Sequence, residues 1–176
     1  MNEQITAEET VKKNELKSWL YTIIVSIVIL GLLRIFVFEF VYVEQFSMHP
    51  TISESDKLCV LKIIYTFSAP KREDIAIIKI SEDRKYVKRV IGLPGETIEI
   101  KDNIVYINDE ALNEVYLSIH ISYPNFEKTL IPEGKYFVMG DNRDSSFDSR
   151  DPSIGLISEE NFIGKVIFRL SPFTWF

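Results

Sequence analysis

The sequence predicts a mainly β domain, a barrel or sandwich, carried behind one N-terminal membrane-spanning helix. Three observations predict it. Trp19 to Leu33 carries no charged residue. Beyond Glu39, short segments alternate apolar and polar residues between turn signals, which is the period of half-buried strands. Thr97 to Ile107 holds two such segments about Asp102-Asn103, and so reads as a hairpin.

The elements follow in order. Residues 1–18 are polar, with four glutamates and three lysines, and read as a mobile or loosely helical tail. The apolar run resumes after Arg34 and continues to Phe38. A helix from Trp19 to Phe38 would be about 30 Å long, the thickness of a hydrocarbon core. Arg34 sits about one turn from its far end, where a long side chain snorkels to the interface. Trp19 and Tyr21 suit the near interface. A core helix apolar on every side would be unusual in so short a chain. No A-x-A-like cleavage site follows the run, so an uncleaved anchor is expected rather than a removed leader. Lys12, Lys13 and Lys17 precede it and should hold the amino terminus in the cytoplasm, leaving residues 39–176 as an extracytoplasmic domain.

In that domain the expected strands are Phe40 to Val43, Lys57 to Ile64, Asp74 to Ile80, Lys85 to Ile91, Thr97 to Lys101, Ile104 to Ile107, Lys135 to Met139 and Lys165 to Leu170. Asp74 to Ile80 is apolar on both faces, as an internal strand would be. Asn108 to Leu130 lacks a pattern and reads as an excursion from the sheet. The closing Ser-Pro-Phe-Thr-Trp-Phe would either close the core or touch the bilayer surface.

Composition narrows the function. The net charge is −6, with no basic cluster to offset it, which argues against a nucleic-acid partner. Cys59 is the single cysteine, so there is no internal disulfide and no multi-cysteine metal site. It lies in the strand-like run KLCVLKII and is expected as a small buried hydrophobe. His49 and His120 are too few for a histidine-rich metal site.

Three stretches could carry chemistry. In YVKRVIGLPGE, Tyr86 to Glu96, alternation places Lys88 on one face with Tyr86 and Val90. Burial there would lower its pKa from ~10.4 and create a usable base. The bland alternative is a lysine that lays its stem on the sheet and reaches water. In VEQFSMHPTI, Ser47 lies between Phe46 and Met48, as a packed serine or as a nucleophile in need of a base. His49, His120 and Lys88 are the available bases, the last in a Ser-Lys pair. In GDNRDSSFDSR, Gly140 to Arg150, acids and arginines mix. Calcium-loop spacing fails, because Ser146 stands at the required glycine. A solvated loop or a self-satisfied ion-pair network remains, and the latter could orient a base.

Taken together, the anchor, the serine box, Glu73-Asp74-Ile75-Ala76 and the two later boxes resemble the type I signal peptidases, closely those of Gram-positive bacteria. The resemblance implies a signal-peptidase-like β-barrel or sandwich and a membrane-anchored serine endopeptidase. Such an enzyme removes signal peptides from exported preproteins outside the cytoplasm, without metal or cofactor. By position, Ser47 matches the nucleophile and Lys88 the general base. Ser146 matches a serine that orients the lysine. Asp148 and Arg150 match supporting residues, and Asp141 with Arg89 a supporting ion pair. The Ser47 N–H is expected in the oxyanion hole. Gln45, Phe46, Met48 and Val43 fall in the oxyanion and substrate region, with Val41 as a further pocket wall. The implied partners are signal peptides of preproteins, the lipid bilayer and the export translocon. Two positions depart from the family pattern: Gln45 stands where serine or glycine is usual, and Glu96 where aspartate is usual. Gln45 leaves open an alternative, a catalytically weak homologue that binds signal-peptide-like segments or assists surface-protein assembly. A sortase-like transpeptidase would need a cysteine with a histidine partner, and Cys59 has no such neighbour in sequence.

Overall fold

The computed structural model describes residues 2–117 and 123–176. The chain divides into two compact units, Met1–Phe38 and Glu39–Phe176. The first holds one helix, α1 (Asn2–Phe36). The polar tail and the apolar run are thus continuous, since residues 2–17 are rich in the good helix formers Glu, Lys, Gln, Ala and Leu. Lys17–Phe36 is long and apolar enough to cross a membrane, and none of it is buried within the protein. The helix ends at Phe36, two residues before the apolar run does, and Phe38 opens the first strand.

The second unit contains β1 (Phe38–Tyr42, entering from the boundary), β2 (Lys57–Leu61), the one-turn helix α2 (Ile64–Phe67), β3 (Ile75–Ser81), β4 (Arg84–Gly92), β5 (Thr97–Lys101) and β6 (Ile104–Ile107). After these come β7 (Glu110–Ala111), β8 (Phe126–Leu130), β9 (Lys135–Met139), β10 (Ile157–Ser158), β11 (Phe162–Leu170) and β12 (Phe173–Trp175). The larger sheet runs β1-β2-β11-β3-β4-β9-β10, with β12 paired to β11. The smaller one runs β7-β6-β5-β8. The fold is therefore mainly β with one N-terminal helix.

Alternation located most of these strands. Asp102 and Asn103 both have positive φ, 50° and 65°, as the two-residue hairpin turn between β5 and β6 requires. Two expectations are corrected. The excursion from Asn108 to Leu130 returns to the sheet, because β8 pairs with β5, Thr97 facing Leu130. FEKTL is an edge strand with no fully buried residue, and Lys128 interrupts its apolar face between Phe126 and Leu130, so its alternation is weak. The run after Lys57 leaves the sheet at Leu61, before the expected Ile64, and turns into α2.

β4 organises the unit. It lies between β3 and β9, with Lys88 opposite Ala76 and Arg89 opposite Met139. Met139 ends β9, so the chain enters Gly140–Arg150 beside the two cations of β4.

Candidate active site

Ser47 rides on a tight turn. The Ile52 N–H donates to Met48 O at 2.9 Å, and the His49 N–H to Phe46 O at 3.1 Å. Met48 and Ile52 are buried in the apolar cluster that also holds Val43, Leu58 and Ile75. Apolar side chains thus pin both ends of the turn while its polar tip stays on the surface. Val43 is held from the far side, donating to Asp56 O at 3.0 Å and accepting from the Ser55 N–H at 2.8 Å.

Lys88 reaches this turn from β4. Its Nζ lies 2.6 Å from Ser47 Oγ. Lys88 is 1% exposed and Ser47 7%. The Tyr86 ring covers the amine, its centroid 5.3 Å away. Burial lowers the Lys88 pKa from its ordinary 10.5 to about 8; Asp148 and Asp141 pull it upward, and Arg150 pushes it down. A fully buried ammonium is costly, so this burial favours the neutral amine.

The loop after β9 locks the pair in place. The Arg89 guanidinium donates twice to Asp141, at 2.8 and 2.6 Å, with both side chains buried. Thr51 Oγ1 donates to the same carboxylate at 2.5 Å. Next in sequence, the Asn142 N–H donates to Ser47 O at 3.0 Å, and the Asn142 side-chain amide to Phe46 O at 3.2 Å. Gly140 N–H donates to Ser146 Oγ at 3.1 Å and to Asp148 at 3.0 Å. Arg150 donates twice to Asp148, each at 2.8 Å. Burial pushes the Asp148 carboxyl up, but Arg150 and the Ser146 and Gly140 hydrogen bonds outweigh it and hold the pKa below the usual range. Gly140 must be glycine for a steric reason: a Cβ there would meet Ser146 Oγ and the Ser47 carbonyl, each at 2.2 Å.

Two cavities flank the serine. The larger, about 680 Å³, is lined by Phe46, Ser47, His49, Tyr86, Lys88 and Phe147, among others. The smaller, about 110 Å³, is walled by Tyr42, Val43, Met48, Lys85 and Val87. Gln45 is exposed and borders both. Val41 does not line the small cavity; it packs against the core cluster instead. Among the described residues no three His, Cys, Asp or Glu side chains converge as a metal set.

The structure thus brings together Ser47, Lys88, Arg89, Asp141, Ser146, Asp148 and Arg150. The hydroxyl of Ser47 has Lys88 as its partner, not His49, and His120 lies outside the described residues. The Ser146 hydroxyl accepts from Gly140, so it braces the loop. Glu96 accepts the Leu93 N–H at 2.8 Å and pairs with Arg72, which explains how a glutamate serves that turn. Thr51, Asn142, Arg143 and Glu114 were not singled out by sequence reasoning. The first three lie inside the boxes, and only their partners reveal them. Glu114 lies in an unpatterned segment and gave no signal.

Known proteins resemble this chain along most of its length. The family model described as signal peptidase, peptidase S26, matches residues 16–171. A signal peptidase I of Bacillus licheniformis is 42% identical over 176 residues, covering 94% of each chain. Signal peptidase IB of Staphylococcus aureus is 33% identical, covering 93% of this chain and 94% of its own. A crystal structure of a signal peptidase I from Enterococcus faecalis aligns with 33% identity and a TM-score of 0.47, over 56% of this chain and 97% of that one. With a family match over most of its length and relatives of this identity and coverage, the chain belongs to the signal peptidase family, peptidase S26.

Proposed function

We propose that the protein is a membrane-anchored serine endopeptidase that removes signal peptides from exported preproteins, with Ser47 as nucleophile and Lys88 as general base. The observation that carries the reading is the 2.6 Å contact between Ser47 Oγ and a buried Lys88 Nζ, in a chain of this family. The depressed pKa of Lys88 supports it, because a base near neutrality is what proton removal from a serine needs.

The preprotein lies extended beside the serine turn. Small residues at the first and third positions before the scissile bond fit the shallow space walled by Val43, Met48 and Val87. Neutral Lys88 takes the Ser47 proton as Oγ attacks the carbonyl carbon. The Ser47 N–H, together with the Gln45 amide at the cavity rim, receives the oxyanion. Protonated Lys88 returns its proton to the leaving amine, and the mature protein departs. Water, deprotonated by Lys88, then hydrolyses the acyl-enzyme. Asp141 with Arg89, and Asp148 with Arg150 and Ser146, hold the loop that holds Ser47, and Ser146 also steadies the amine once it is protonated. No metal or cofactor enters these steps. α1 anchors the chain, its lysines keep the amino terminus in the cytoplasm, and the domain works outside, where the translocon delivers substrate. The binding-only alternative left open by Gln45 gains no support from a cleft that keeps the Ser47–Lys88 pair.

The test is cleavage of a full-length preprotein by detergent-solubilised enzyme, with products identified by mass. Wild type should cut at the signal-peptide junction, and Ser47→Ala and Lys88→Ala should each abolish the cut. Cleavage by Lys88→Ala would overturn the assignment of the base.

A further inference from the structure

The segment after β7 takes no part in these steps, yet it contacts the machinery at two points. Arg143, in the serine-holding loop, has a fully buried side chain. Its guanidinium donates to both oxygens of Glu114, to Oε2 at 3.1 Å and also to Oε1. Its Nε donates to Gly140 O at 3.0 Å, and it also donates to the Tyr123 hydroxyl at 3.2 Å. Two residues along, the Tyr116 hydroxyl donates to Glu114 Oε1 at 2.7 Å. The Tyr116 ring packs on the Arg89 guanidinium, its centroid 3.9 Å from Cζ. Arg89 and Arg143 thus flank Asp141 and Asn142, the residues that grip Thr51 and the Ser47 carbonyl.

We propose that Glu114 is a positioning residue for Ser47, acting through Arg143 on the Gly140–Asn142 turn. Around the turn, Arg89, Arg143 and Arg150 are matched by Asp141, Glu114 and Asp148. Removing the Glu114 charge leaves a buried guanidinium without its carboxylate, which is unfavourable. A substitute carboxylate on the same turn is Asp141, two residues away, whose backbone carbonyl accepts the Arg143 backbone N–H at 3.1 Å. Arg143 would then compete with Arg89 and Thr51 for Asp141. The turn would shift, and the Asn142 N–H would leave the Ser47 carbonyl. A serine displaced by about 1 Å from its base can lose on the order of a hundredfold in rate.

The inference rests on the proposed function. Single-turnover cleavage of a preprotein by the full-length enzyme, wild type against Glu114→Gln and Tyr116→Phe, tests it. In that assay the amplitude reports the folded fraction and the rate constant reports chemistry. Glu114→Gln should lower the rate constant at least tenfold at saturating substrate, with KM within twofold and amplitude retained. Tyr116→Phe keeps the ring on Arg89 but removes the hydroxyl that steadies Glu114; it should lower the rate constant about threefold. A Glu114→Gln rate constant within twofold of wild type overturns the inference. So does a loss confined to amplitude or to KM. Should Glu114→Gln fail to fold, a wild-type rate constant in Tyr116→Phe overturns it. A wild type that does not cut, or a Ser47→Ala that does, defeats the proposed function itself, and this inference with it.

Discussion

At the scale of single residues, the proposed function depends on a lysine kept against its preference. Holding the Lys88 pKa at about 8 rather than 10.5 costs the folded state about 3 kcal/mol below pH 8. The sign follows from proton counts: between pH 8 and 10.5 the unfolded chain binds the proton and the folded one does not, so stability rises with pH across that window. Lys88→Met should therefore melt above wild type near pH 7, and the gap should narrow as pH climbs from 8 to 10.5. Melting curves in detergent at several pH values check this. Gly140→Ala should act through geometry alone. Its Cβ has no room beside the Ser47 carbonyl, so activity should fall on the order of a hundredfold. Ser47 and Lys88 were legible in the sequence because each sits in a box of recognisable order and spacing. Glu114 was not, because its meaning comes wholly from Arg143, 29 residues away.

At the scale of elements, β4 and the loop after β9 form one working part. β4 delivers Lys88 to one side of the sheet and Arg89 to the other, as alternation dictates. Arg89 then captures Asp141, and the loop bends back to the serine. Asp141→Asn breaks a buried, doubly hydrogen-bonded pair and leaves the Arg89 charge behind. It should cost about 3 to 5 kcal/mol, measured as a lowered melting temperature, along with lost cleavage. Strands with one apolar face, such as β5 and β6, were readable from alternation, and β9 from its short continuous apolar run. β8 and β12 were not: β8 is a mostly polar edge, and β12 gains its order from Phe168, whose ring packs against Phe173 and Trp175 at 5.5 and 5.1 Å. Such contacts across a chain reversal leave no periodic trace.

At the scale of the whole molecule, the chain joins a lipid-compatible helix to a β domain with its own three apolar clusters. The apolar run was plain in the sequence; that the polar tail continues the same helix was only half visible, since helix propensity is a weak signal without a buried face. If α1 is the anchor, a charge at its centre should oppose insertion. Ile24→Asp with Val28→Asp would add roughly 6 to 8 kcal/mol at mid-membrane, and should move the protein from carbonate-washed membranes to the soluble fraction. The proposed mechanism turns on the proton of Lys88, and its sharpest test is the pH dependence of preprotein cleavage by the full-length enzyme. kcat/KM should rise through an acid limb centred near pH 8, where the amine loses its proton. A profile already level by pH 6, or the same limb persisting in active Lys88→Ala, would contradict it.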